Sequence, residues 1–149
     1  MKSIKSIKIN ADGYPTIVSD IYQDGANFEG GKCEGTKKAG EPLIETMNAL
    51  MPIVREVCNL GDKWIDTLGT FARVSGVVLK DDGIVITAQL QHDYGDTVKT
   101  AIANTPYIEN KYLQTHEEMQ LEALKREVNA YLDSLPVQTD MFTQETVTA

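Results

Sequence analysis

No run of apolar residues approaches the ~20 needed to span a bilayer. The first residues, Met1-Lys2-Ser3-Ile4-Lys5-Ser6-Ile7-Lys8, lack the continuous apolar segment of a secretory signal. Cysteine is scarce: Cys33 and Cys58 are the only two, with no CxxC pair. That spacing supports neither a disulfide framework nor a zinc knuckle, and a cytoplasmic setting is the expectation, with a Cys33–Cys58 bridge left open. Positive charge is also short, with 14 Lys and Arg against 22 Asp and Glu and a net charge of −8. A compact duplex-DNA binder needs the opposite balance, because phosphate neutralisation supplies most of its non-specific affinity. An anionic membrane surface is disfavoured for the same reason. What is present is ordinary globular composition, 42% apolar and 24% charged over 149 residues, enough for one domain with a core.

Residues 4–10 predict a strand with Lys5, Ile7 and Ile9 on one face and Ile4, Ser6 and Lys8 on the other. Asn10-Ala11-Asp12-Gly13 is turn chemistry, and residues 16–22 complete a hairpin. The glycine-rich stretch Asp24–Gly40 reads as a loop with at most a weak edge strand near Phe28. Residues 42–60 have helical periodicity in Leu43, Met47, Leu50, Val54 and Val57, joined by Ile44, Met51 and Cys58. Pro52 removes a hydrogen bond and predicts a kink or two short helices, ending at Leu60-Gly61-Asp62.

Residues 70–80 predict a Val-rich strand with Gly76 at a possible bulge, and Asp81-Asp82-Gly83 a turn. Ile84, Ile86, Ala88 and Leu90 alternate along a half-buried strand. After a polar loop at 92–96, Val98, Thr100 and Ile102 mark another strand ending near Asn104-Thr105-Pro106. Residues 115–135 form the clearest helix: Thr115 and Glu118 have capping-box spacing, and Leu121, Leu124, Val128, Tyr131, Leu132 and Leu135 make one apolar stripe before Pro136. The order ββ-α-βββ-α implies an α+β two-layer domain over residues 1–136, with an antiparallel sheet of about five strands and two main helices on one face. The last helix should cover a sheet face that includes Ile84, Ile86 and Ile102 or their alternates.

Within that domain, catalytic chemistry is thin. His92, Asp93 and Asp96 share a loop, which reads as a solvated turn rather than an acid–base or metal site. His116 falls on a helix surface and Cys58 on an apolar face. Gly30-Gly31-Lys32 lacks the spacing of a phosphate loop. Lys32, Lys37 and Lys38 make a small basic loop. No nucleophile–base or paired-carboxylate arrangement assembles, so no cofactor, metal or catalytic residue is expected.

Residues 137–149 differ. Thr143 to Ala149 is small and polar, the composition of a flexible terminus, yet Met141 and Phe142 stand together before it. Two adjacent large apolar side chains in a polar segment need a partner, either another protein or their own domain, on which the tail would then fold back. Gln138-Thr139-Asp140-Met141-Phe142 resembles the bacterial sliding-clamp-binding pentamer, which has Gln first, a small or acidic residue third, Leu or Met fourth and Phe fifth. The eukaryotic clamp motif fits less well, since its aromatic pair would fall on Gln144 and Glu145. The resemblance implies a bacterial sliding clamp as partner, held by Gln138, Asp140, Met141 and Phe142.

The Ile/Lys-rich first strand, Ala49-Leu50-Met51-Pro52, Asn104-Thr105-Pro106 and the C-terminal Gln-x-x-Met-Phe also resemble a group of small bacteriophage and prophage proteins. That resemblance implies a phage setting in DNA replication or recombination, without a defined activity. The expectation is therefore a non-enzymatic accessory protein that binds the host clamp through its tail. The alternatives are an acidic decoy of a host DNA-binding protein and a small enzyme with its site at 92–96.

Overall fold

A computed structural model describes residues 3–23, 26–60 and 70–135. The chain is α+β. Its elements are β1 (Ser3–Ile9), β2 (Pro15–Gln23), β3 (Ala26–Glu34), α1 (Glu41–Asn48), α2 (Met51–Val57), β4 (Thr70–Lys80), β5 (Gly83–Asp93), β6 (Val98–Asn104), β7 (Ile108–Glu109), a 3-10 turn (Asn110–Tyr112) and α3 (Thr115–Asp133). The strands form one 7-stranded antiparallel sheet in the order β3-β2-β1-β4-β5-β6, with β7 also on β5. Two meanders, β1–β3 and β4–β6, therefore meet where β1 pairs with β4.

The expected five strands become seven. The weak edge strand near Phe28 is the full edge strand β3; its glycines carry no alternating apolar pattern, yet its backbone pairs with β2 along most of its length. β7 is only Ile108–Glu109, too short for periodicity to register.

Bulges decide which side chains enter the core. The β1–β2 register shifts between Ile4 and Ser6. Lys5 is the extra residue, so Ile4 joins Ile7 and Ile9 on the buried face instead of opposing them. On β4 the shift falls between Val74 and Gly76, which makes Ser75 the extra residue and keeps Val74 and Val77 both inward. The turn at Asn10 forms as expected: its side-chain oxygen accepts from the N–H groups of Asp12 and Tyr14, both at 3.0 Å.

Pro52 produces two helices rather than a kink. It sits in the first turn of α2, where its missing N–H has no intrahelical acceptor to lose. The break rephases the apolar stripe, so Ile53 and Val54 are buried and Val57 is 40% exposed. Asn59, not Gly61, ends α2. It takes φ 56°, its N–H donates to the Glu56 carbonyl at 3.2 Å, and the Leu60 N–H reaches Arg55 at 2.9 Å. That is a Schellman stop with Asn in the left-handed position. The capping box of α3 lies one residue earlier than expected, on Gln114 and Glu117.

The helices cover one face, α3 across β1 and against α1, α2 against β4 and β5. Leu121, Leu124, Val128, Tyr131, Leu132 and Leu135 are all buried, as the stripe predicts, with Ile84, Ile86, Ala88 and Leu90. Ile102 is not part of this face. It is 63% exposed, and its neighbour Ala103 packs inward instead, because Ala103 pairs with Ala88 and so shares its side of the sheet.

The outer edge of β5 is shared end to end by β6 and β7. Between them Thr105 stands in for a ladder residue. Its N–H donates to the Ile86 carbonyl and its Oγ1 accepts from the Ile86 N–H, both at 2.9 Å, in a buried position. The Tyr107 hydroxyl then donates to the Asp82 carboxylate, fastening β7 to the β4–β5 turn. The bond to Asp82 is the main reason the Tyr107 pKa is pushed up to about 12. Gly83 permits this approach, since a Cβ there would run into the Ile108 carbonyl and the Tyr107 ring.

Leu124→Ala should cost ~2–5 kcal/mol in chemical denaturation, because the fully buried site leaves a cavity. Thr105→Val should cost ~1–3 kcal/mol by leaving the Ile86 N–H without its acceptor. Thr105→Ser keeps the hydroxyl and should lose only about 0.8 kcal/mol, the value of one buried methyl group. A urea midpoint for Thr105→Val no lower than that of the parent chain would show that the hydroxyl carries no stability.

Candidate functional site

The residues of the clamp-like pentamer, Gln138, Asp140, Met141 and Phe142, lie outside the described residues. What is described is the end of α3, which precedes that segment in the chain. Tyr131 and Ser134 at the end of α3 meet Gly35 and Lys37 in the connection after β3. The Tyr131 hydroxyl donates to the Lys37 carbonyl, and burial pushes its pKa above the ordinary phenol value. The Lys37 ammonium lies 5.8 Å from the Tyr131 ring centre and donates to Ser134 Oγ at 2.7 Å. Ser134 Oγ donates in turn to the Tyr131 carbonyl at 2.6 Å. A Cβ on Gly35 would fall on the Tyr131 hydroxyl, so only glycine lets the two segments close. Leu135 is buried immediately before Pro136.

This arrangement revises the small basic loop. Lys37 is committed to Tyr131 and Ser134, and Lys32 pairs with Glu34 at 3.3 Å. Lys32 and Lys37 thus each have a local partner.

The 92–96 segment is only partly a loop. His92 and Asp93 end β5, opposite Lys99 and Val98. The turn proper is closed by the Tyr94 N–H donating to the Thr97 carbonyl at 2.8 Å. The His92 ring meets Tyr94 edge-on at 4.4 Å. Among the described residues there is no group of three or more His, Cys, Asp or Glu that could hold a metal. Cys33 and Cys58 are both free thiols, and Cys58 contacts the Asn104 carbonyl.

A cavity of about 340 Å³ opens beside Arg73, between the β1–β2 turn and α1. Arg73 is used structurally there. Its guanidinium donates to Gln89 Oε1 at 2.8 Å and to the Ile9 carbonyl at 3.3 Å, and Asn48 accepts from the Val74 N–H at 3.0 Å. The Asn48 bond satisfies the Val74 N–H of β4, and the Arg73 bond the Ile9 carbonyl of β1, where the two strands no longer pair.

The larger feature runs along α3. One cleft of about 840 Å³ is lined by Ser3, Ile4, Lys5, Val78, Leu79, Lys80, Asp81, Glu122, Lys125, Arg126 and Asn129. A second of about 560 Å³ adjoins it through Glu122, Lys125 and Arg126 and extends to Met119, Glu118, Thr115 and Asn110. Lys5, Lys80, Lys125 and Arg126 thus gather at the larger cleft against Asp81 and Glu122, so this surface is locally positive on a chain of charge −8. Sequence reasoning missed it because its cations come from β1, β4 and α3. The only local signal was Lys125-Arg126, which reads as part of a mixed-charge helix face.

Among the described residues no helix is long and apolar enough to cross a membrane. No protein-family model, curated protein or solved structure matches the chain, so its site rests on its own residues.

Proposed function

We propose that the chain is a non-enzymatic accessory protein of a phage or mobile element that binds the host's sliding clamp through Gln138, Asp140, Met141 and Phe142. The observation that carries this reading is the pentamer Gln138-Thr139-Asp140-Met141-Phe142, in which every constrained position of the clamp-binding motif is matched. Its placement supports it. Among the described residues the core is built from Ile4 to Leu135, and Gln138 follows shortly after that last core side chain.

The chemistry is that of a short extended ligand. Met141 and Phe142 enter an apolar pocket, and the Gln138 amide fixes the register. Burial of each large side chain contributes ~1.5–3 kcal/mol, offset by the ordering of the segment. Affinity near micromolar, about −8 kcal/mol, is what such a ligand supplies. The acidic-decoy alternative rests on the −8 charge, and the cations gathered along α3 run against a uniformly acidic surface.

In surface plasmon resonance against a bacterial sliding clamp, Met141→Ala with Phe142→Ala should abolish binding at micromolar concentration. Gln138→Ala should weaken it by only ~1 kcal/mol, the worth of one neutral hydrogen bond. Melting temperatures should not change for either variant. Unaltered binding by the double variant, or none by the parent chain, would end the clamp reading.

The same account expects no tight duplex-DNA binding. A mobility shift at submicromolar protein and ~0.15 M salt should show free DNA, because the acidic balance forfeits counterion release. A retarded band would contradict it.

A further inference from the structure

We infer that the adjoining clefts along α3 are a docking groove for an extended acidic peptide of another protein. Its carboxylates would meet Lys80, Lys125 and Arg126, and an apolar side chain would rest on Met119. This inference is independent of the clamp reading.

Charge is the first argument. Neither Lys80 nor Arg126 has an ion-pair partner among the described residues, whereas Lys125 is shared with Glu122 at 3.2 Å. Arg126 offers a planar fork suited to a carboxylate.

The second argument is the backbone. The β1–β4 ladder ends at Ser6↔Val78. Past that point Ser3 and Ile4 form one wall of the cleft and Leu79 and Lys80 another. β1 continues to pair with β2 there, and β4 with β5, so each strand turns its other edge towards the cleft. Strand edges of this kind accept an extended segment through main-chain hydrogen bonds.

The third argument separates a peptide from a nucleic acid strand. Asp81, Glu118 and Glu122 are interspersed among the cations, and among the described residues no aromatic side chain lines either cleft. A polynucleotide brings a negative charge at every residue and needs stacking platforms. A peptide can space its carboxylates to avoid the three acids. Met119, 66% exposed at the far end, provides an adaptable apolar contact. From Thr115 to Asn129 the helix spans ~21 Å, which about seven extended residues would match.

The test is fluorescence anisotropy of the full chain with a labelled peptide of about seven alternating Glu and Leu residues. Saturable binding is expected that weakens with salt. Lys80→Gln with Arg126→Gln should weaken it about tenfold, and Lys32→Gln, outside the groove, should not. Circular dichroism melting should be the same for all, since the changed side chains are exposed. The proposal is overturned if the peptide does not bind, if a version with Gln for Glu binds equally, if the double variant is unaffected, or if oligothymidylate of matching length binds better. It is also overturned if Asp140→Asn with Glu145→Gln tightens peptide binding, because the occupant would then be the chain's own C-terminal segment.

Discussion

One row of side chains crosses five strands, and the rest of the fold is arranged around it. Cys33 on β3 pairs with Ile17 on β2, Ile17 with Ile7 on β1, Ile7 with Val77 on β4, and Val77 with Ile86 on β5. Ile7, Ile17 and Ile86 are fully buried and Val77 nearly so. The row ends at the edge of β5, where Thr105 supplies both an N–H and a hydroxyl to the Ile86 backbone. The helices close over this line, along which the two meanders share one core. The apolar stripe of α3 lies across β1.

Much of this was legible. Alternation in Ile84–Leu90, the 3.6-residue stripe of α3, the turn at Asn10 and the break at Pro52 each follow from local chemistry. The failures have a common cause. Ile4 faces inward through a bulge that no period of two contains, whereas the β4 bulge falls at Ser75, beside the Gly76 position expected for it. β3 is a strand because β2 presents an edge to it, not because its glycines favour one. The alternation of Val98, Thr100 and Ile102 leaves open which side faces the core, and pairing register places Ala103 there rather than Ile102. Long-range pairing decided each of these.

The candidate sites divide in the same way. The pentamer is contiguous, so its residue types can be read directly from Gln138 to Phe142. The groove is not contiguous. Lys80 and Arg126 stand far apart in sequence and become neighbours of one cleft only after β1 and β4 pair and α3 crosses them. The bulge at Lys5 falls next to the point where the β1–β4 ladder ends. The same irregularity that brings Ile4 into the core thus borders the wall of the cleft.

The seam between the meanders also divides the molecule in time. Each hairpin joins residues close in sequence, and hairpins of this kind form within ~1–10 μs. The pairing of Ile7 with Val77 must instead close a loop that holds both α1 and α2, and it consists of three residue pairs, Ser6↔Val78, Ile7↔Val77 and Lys8↔Gly76. Loop-closure entropy makes that step the slow one. Loop closure alone therefore orders the seam after the hairpins of the two meanders. Until it forms, Ile7 and Val77 present sticky strand edges to any neighbour, which is the interval in which this chain is most exposed to aggregation.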